Sequence, residues 1–111
     1  MTNWSNKKMK RKPMSEREYR ASRICRVLGN PTAYQIMKIL KLKTKKSPLE
    51  ISLELGLTIT NTSKTLRILR QVDLVRYDTE GREKRYYLKD ESVLKIFSAL
   101  EKFTEKIKYK K

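Results

Sequence analysis

The 111 residues are enough for one domain with a single core and too few for two. A formal charge of +16, from 28 basic and 12 acidic side chains, points to a polyanionic partner, with nucleic acid ahead of a membrane surface and a merely Lys-rich, heat-adapted surface as the bland alternative. The single cysteine excludes an intramolecular disulfide, no apolar run approaches the roughly 20 residues of a membrane helix, and Met1–Trp4 opens no secretory signal, so a cytoplasmic protein is expected.

Residues 1–14 carry Lys7, Lys8, Lys10, Arg11 and Lys12 with no acid and little apolar periodicity, the pattern of a flexible basic arm. The folded domain is expected over 15–107, followed by a basic tail at 108–111. Ser15-x-x-Glu18 is a capping box that starts a first helix over Glu16–Leu28. Tyr19, Ile24, Val27 and Leu28 lie on its apolar side, and Gly29 is placed to end it. Asn30-Pro31 then provides an N-cap and an N1 proline for a second helix to about Lys41, with Ile36, Met37, Ile39 and Leu40 buried. After a basic turn, Lys41–Lys46, Ser47-Pro48-Leu49-Glu50 repeats the start signal for a short third helix ending at Leu55. Leu49, Ile51, Leu53 and Leu55 are its apolar content, and Gly56 supplies a positive φ at its end.

Thr58 caps a fourth helix from Ile59 to about Val72, with Leu66, Leu69 and Val72 as its core stripe. Two strands, Leu74–Asp78 and Glu83–Leu88, form a hairpin through Thr79–Arg82, with Tyr86 and Leu88 on one face and Arg85 and Tyr87 on the other. Asp90 caps a last helix to about Ile107. The fold class is therefore mainly α with a small β-hairpin: helix-helix-helix-helix-strand-strand-helix, a winged helix-turn-helix.

The third helix, the Gly56 turn and the fourth helix have helix-turn-helix geometry, in which the second helix enters a major groove and the first braces it. With Thr62, Leu66 and Leu69 turned inward, the outward face carries Ile59, Thr60, Asn61, Ser63, Lys64 and Arg67, and no acid occurs between Ile59 and Gln71. Hydroxyls, amides and cations are the groups that read base edges or grip phosphate. Arg70, the turn lysines Lys43, Lys45 and Lys46, and Lys84 and Arg85 of the hairpin are expected on phosphates, and Arg82 at its tip in a minor groove.

Leu28-Gly29-Asn30-Pro31-Thr32 with Ile36–Leu40, then Ser47–Leu57, Thr62–Leu69, Asp73-Leu74-Val75 and Gly81-Arg82 through Tyr86-Tyr87-Leu88, resembles the ArsR-type winged-helix repressors over about residues 24–90. The resemblance implies a homodimer whose first and last helices pair across a two-fold axis, bound to a palindromic double-stranded DNA operator. On this chain that interface falls to Tyr19, Ile24, Val27, Val93, Phe97, Leu100, Phe103, Thr104 and Ile107. Two positions depart from the family. Asp73 stands where glycine is usual, which Asp tolerates in the left-handed region, and Thr65 stands where histidine is common.

Metal sensing is not expected. The chain has no His and only Cys25, so the thiol pairs and Asp/His sets that hold metals in such regulators are missing. Cys25 is open to two readings, a small buried hydrophobe or a redox-active thiol near a dimer axis. Without a His base, a glycine-rich phosphate loop or paired acids in a cleft, no enzyme is expected and no cofactor is implied. The function expected is a sequence-specific, dimeric transcriptional regulator, a repressor that does not respond to metals. An architectural, chromatin-like DNA binder of low specificity is the alternative, with a protein- or RNA-binding module behind it.

Overall fold

The computed structural model describes residues 11–40 and 44–107. The expectations for Lys7, Lys8 and Lys10 of the arm, for Lys43 in the turn and for the tail at 108–111 fall outside the described residues. Five helices and a hairpin follow one another in the expected order: α1 (Glu16–Leu28), α2 (Pro31–Ile39), α3 (Pro48–Leu55), α4 (Ile59–Gln71), β1 (Val75–Glu80), β2 (Glu83–Leu88) and α5 (Val93–Lys106). This is a winged helix-turn-helix. No helix among the described residues is long and apolar enough to cross a membrane.

The helix starts rest on local chemistry. Ser15 and Ser47 each form a complete capping box, the second with Ser47 N–H donating to Glu50 Oε1 at 2.8 Å and Glu50 N–H donating to Ser47 Oγ at 3.1 Å. Asn30 and Thr58 accept the free amides of Ala33 and Asn61. The helix ends differ more from expectation. Gly56 is left-handed at φ 71°, as the sharp turn from α3 to α4 requires, but Gly29 is right-handed at φ −71° and uses none of glycine's freedom. At the end of α4 it is Asp73, at φ 66°, that carries the left-handed residue. Its amide donates to Arg70 O and that of Leu74 to Leu69 O, both at 3.0 Å, a Schellman closure. The second helix stops at Ile39, short of Lys41. Asp90 does not cap α5; it accepts from Ser92 N–H and closes a turn one step earlier.

One core joins all these elements. Ile36 and Met37 from α2, Leu40 just past its end, Ile51 from α3, Leu66 and Leu69 from α4, Val75 and Leu88 from the hairpin and Phe97 from α5 are shut off from solvent. Removing any such aliphatic side chain costs about 2–5 kcal/mol. Two apolar residues of α3 lie outside the core: Leu49 and Leu53 stand on its solvent side, 51% and 75% exposed. Tyr19 and Cys25 of α1 are exposed as well, so Cys25 is no buried hydrophobe.

The strands pair antiparallel from Val75↔Leu88 to Glu80↔Glu83. Only Gly81 and Arg82 remain for the turn, with Gly81 at φ 64° in the first loop position, where two-residue hairpins demand glycine. β1 runs two residues past its expected end at Asp78, to Glu80, and a third strip of sheet joins the hairpin. Lys46 bridges Tyr86 through N–H···O bonds of 3.0 and 2.7 Å, stitching the segment before α3 to the wing.

Candidate nucleic-acid interface

The helix α4 is anchored by its buried face and bare on the other. Thr62, Thr65, Leu66 and Leu69 are buried, and the two threonine hydroxyls each donate to the carbonyl four residues back, at 2.9 Å. Thr65, the position where the family often has histidine, is therefore occupied within the fold. On the opposite face Ile59, Thr60, Asn61, Lys64 and Arg67 are exposed and Ser63 is half-buried. Neither Lys64 nor Arg67 forms an ion pair with a described residue. Their charge stays open to a polyanion.

The wing behaves differently. Arg85, expected on phosphate, is held by the protein. Its guanidinium donates to Glu50 Oε1 (2.9 Å), Glu83 Oε1 (2.9 Å) and Lys45 O (3.0 Å), and lies 3.7 Å from Glu80. Glu83 and then Glu50 push the Arg85 pKa up; the Ser47 amide first, and Arg85 after it, hold Glu50 below the usual carboxylate range. Because Glu50 also closes the α3 capping box, Arg85 fixes the angle between the wing and the helix-turn-helix. Lys45 pairs with Asp78, which raises its pKa, and Lys46 lies 2.9 Å from Glu54. The geometry thus gives Arg85, Lys45 and Lys46 carboxylate partners within the protein. Arg82 and Lys84 remain exposed at the wing tip.

Tyr77 was not singled out from sequence. Its ring lies 5.3 Å from the Arg70 guanidinium and 4.8 Å from the Lys84 ammonium, and packs 5.3 Å from the Tyr86 ring. It joins the flank of α4 to the wing and holds two expected phosphate contacts at one aromatic face. The only advance signal was its place, two residues after Val75 on the inward face of β1.

The last helix is attached at its start. Val93 and Phe97, expected between subunits, are buried in the protomer's own core, Phe97 with its ring 4.5 Å from that of Tyr34. Ile24 and Val27 of α1 are half-buried against the same core. Glu101 ties α5 to α2: Tyr34 Oη donates to it at 2.7 Å and Lys38 Nζ at 2.8 Å. Lys38, then Tyr34, lower the Glu101 pKa, and the bond to Glu101 pushes the Tyr34 hydroxyl up to about 12. Past that point the apolar face of α5 runs on without cover, with Leu100, Phe103 and Ile107 exposed and Ile96 beside them. No group of three or more His, Cys, Asp or Glu among the described residues is placed to hold a metal ion.

No family sequence model and no curated protein sequence matches the chain. Solved structures do. The chain is similar to HlyU from Vibrio cholerae, with 26% identity and a TM-score of 0.69 over 81% of this chain and 97% of that one. NolR from Sinorhizobium fredii gives 24% identity and a TM-score of 0.69 over 84% and 96%. The homodimeric winged helix-turn-helix DNA-binding domain of Mb0332 from Mycobacterium bovis, a possible ArsR-family transcriptional regulator, gives 22% identity and a TM-score of 0.68 over 86% and 91%.

Proposed function

We propose that this chain, an ArsR-type winged helix-turn-helix protein, is a sequence-specific, homodimeric DNA-binding transcriptional regulator that acts as a repressor without a metal. The observation that carries the reading is the bare face of α4, where Lys64 and Arg67 have no ion-pair partner among the described residues, on a helix locked from behind by Leu66 and Leu69. Thr60, Asn61, Ser63, Lys64 and Arg67 supply base discrimination, with Ile59 offering apolar contact to a thymine methyl. Arg70, Lys84 and Arg82 hold phosphate or the minor groove. Lys45 and Lys46 join them only by exchanging exposed carboxylate partners, a small cost because exposed ion pairs are weak. The basic segments 1–14 and 108–111 add attraction without specificity.

The dimer reading rests on α5. Leu100, Thr104 and Ile107 continue the face that Val93 and Phe97 bury within the protomer, flanked by Ile96 and Phe103. A second copy supplies the missing cover, and the two-fold axis places two recognition helices about 34–36 Å apart. Occupancy of an operator is then enough to repress. The chain is read as a binding protein rather than an enzyme, in keeping with the solved relatives named as regulators, such as the transcriptional regulator HlyU from Vibrio vulnificus. The charge of +16 favours a second reading, an architectural binder of low specificity.

Selection of bound duplexes from a random pool decides between them. An enriched inverted repeat with half-sites one helical turn apart is the expected result. Duplex binding with no enriched sequence supports the architectural reading, and no duplex binding at low ionic strength overturns both.

A further inference from the structure

We propose that Tyr77 is a positioning residue for duplex binding: its ring gathers Arg70 of α4 and Lys84 of β2 into a joint seat for one backbone phosphate, so that helix and wing grip the same strand together. The inference rests on the DNA-binding reading above and adds to it the residue that joins the two halves of the interface.

The carboxylates nearest in the chain are all engaged elsewhere. Asp73, Asp78, Glu80 and Glu83 are the acids between Arg70 and Lys84. Asp73 is held by Lys89 and Asp78 by Lys45, while Glu83 lies 2.9 Å and Glu80 3.7 Å from the Arg85 guanidinium. Arg70 and Lys84 are exposed, and neither forms an ion pair with a described residue. What they share is the ring: the Arg70 guanidinium lies 5.3 Å and the Lys84 ammonium 4.8 Å from the Tyr77 centroid.

A ring and a carboxylate hold a cation in different ways. A carboxylate accepts the cation's N–H donors, whereas a ring attracts the charge through its quadrupole and leaves those donors for another acceptor. Two like charges beside one ring also repel each other, and an anion bound between them relieves that repulsion. A phosphate suits the place because its oxygens accept from both cations at once. The ring itself is fixed. Tyr77 is half-buried and packs 5.3 Å from the ring of Tyr86, which is buried and tied by its backbone to Lys46 through bonds of 3.0 and 2.7 Å. Pairing of Tyr77 with Tyr86 and of Thr79 with Lys84 puts Tyr77, Tyr86 and Lys84 on one face of the hairpin.

The test is fluorescence anisotropy of the full chain on a labelled duplex from the selection above, repeated at several salt concentrations. Tyr77→Leu should weaken binding about fivefold. It should also lower the slope of log K against log salt by about one, although it removes no charge. Tyr77→Phe keeps the ring and should stay within about twofold of the parent. Arg70→Gln should cost about tenfold in the parent and less than about threefold once Tyr77→Leu is present, while the cost of Arg67→Ala stays the same in both backgrounds. Loss of affinity in Tyr77→Leu with an unchanged salt slope, or with the Arg67→Ala cost reduced as much as that of Arg70→Gln, shows packing alone and overturns the proposal. Arg70→Gln with Lys84→Gln tests the seat without touching the ring, and so decides even where Tyr77→Leu fails to fold by circular dichroism. Together the two should cost clearly less than the product of their single losses, and a simple product overturns the shared phosphate. If Tyr77→Leu keeps the parent's affinity and slope, the positioning role is wrong and the DNA-binding reading stands. No duplex binding by the parent at low ionic strength refutes that reading and the seat with it.

Discussion

Helix α4 and the base of the wing are both rich in cations, and the structure treats them in opposite ways. At the wing, Arg85 is surrounded by Glu50, Glu83 and Glu80, Lys45 meets Asp78 and Lys46 meets Glu54. On α4 no acid occurs between Ile59 and Gln71, and Lys64 and Arg67 are exposed with no ion-pair partner among the described residues. A cation's role is set by what lies within about 4 Å of it, not by its sign. Exposed pairs add little energy, so the wing network chiefly fixes geometry, locking the hairpin to the start of α3. The unpaired cations of α4 keep counterions to release on a polyanion, which is where salt-dependent affinity originates.

Separating those roles gives the largest expected effect. Arg67→Ala should lower affinity for the selected duplex about 10–100-fold, the ~1–3 kcal/mol of one base-reading contact, and leave the melting temperature unchanged. Arg85→Ala should do the reverse. Its melting temperature falls and amide exchange accelerates across Glu83–Leu88, while duplex affinity falls less than for Arg67→Ala. Gel-shift titrations beside thermal melts measure both. If Arg85→Ala lost as much affinity as Arg67→Ala with no change in melting, the division between the two regions would be wrong.

Why the sequence separated some of these roles and not others follows from the range of the interactions. Helix starts depend on residues three apart, and Ser15, Asn30, Ser47 and Thr58 were all readable as caps. The buried stripe of α4 was readable for the same reason, whereas the left-handed Asp73 was expected only from the family resemblance, in which glycine is usual at that position. Pairings across the fold were not. Glu50 and Arg85 lie 35 positions apart, and nothing local in either predicts the other. Periodicity also cannot tell a face buried in its own protomer from one buried against a copy. Val93, Phe97, Leu100, Thr104 and Ile107 share one stripe on α5, yet the first two are inside the protomer and the rest are bare. Leu49 and Leu53 show the same blindness, apolar residues on a helix whose inner face was already filled by Ile51.

A smaller effect tests the turn that aims the free cations. Gly56 is left-handed with nothing within 4 Å of where a Cβ would stand, so Gly56→Ala introduces backbone strain and no clash. The expected loss is about 1 kcal/mol, or roughly 4–8 °C in melting temperature for a domain of this size. Gly29→Ala is the control. At φ −71° it requires no special conformation, and its melting temperature should stay the same or rise. Equal losses at the two glycines would mean that the α3–α4 turn is not what strains.

The smallest effect concerns acid. The carboxylates of Glu50 and Glu101 are held below the usual range, Glu50 by the Ser47 amide and then Arg85, Glu101 by Lys38 and then Tyr34. A carboxyl whose pKa is lower folded than unfolded contributes stability that is fully present above the ordinary value of 4.5 and lost as pH falls through the folded value. Nothing should therefore change between pH 7 and pH 5 on this account, and denaturation midpoints should drop below about pH 4.5. Glu50→Gln separates the two parts of the network, because glutamine still accepts the Ser47 amide but carries no charge for Arg85. The variant should unfold at lower urea than the parent at pH 7, and the gap should narrow at a second, acid pH well below the ordinary carboxylate value, as the parent's Glu50 takes up its proton. A gap of constant size at both pH values would show that the charge on Glu50 contributes nothing, leaving the wing aligned by hydrogen-bond geometry alone. The bare face of α4 carries no carboxylate, so acid should not alter it. The contrast between the two regions should then appear as a wing that loosens in acid beside a recognition helix whose charge stays as it was.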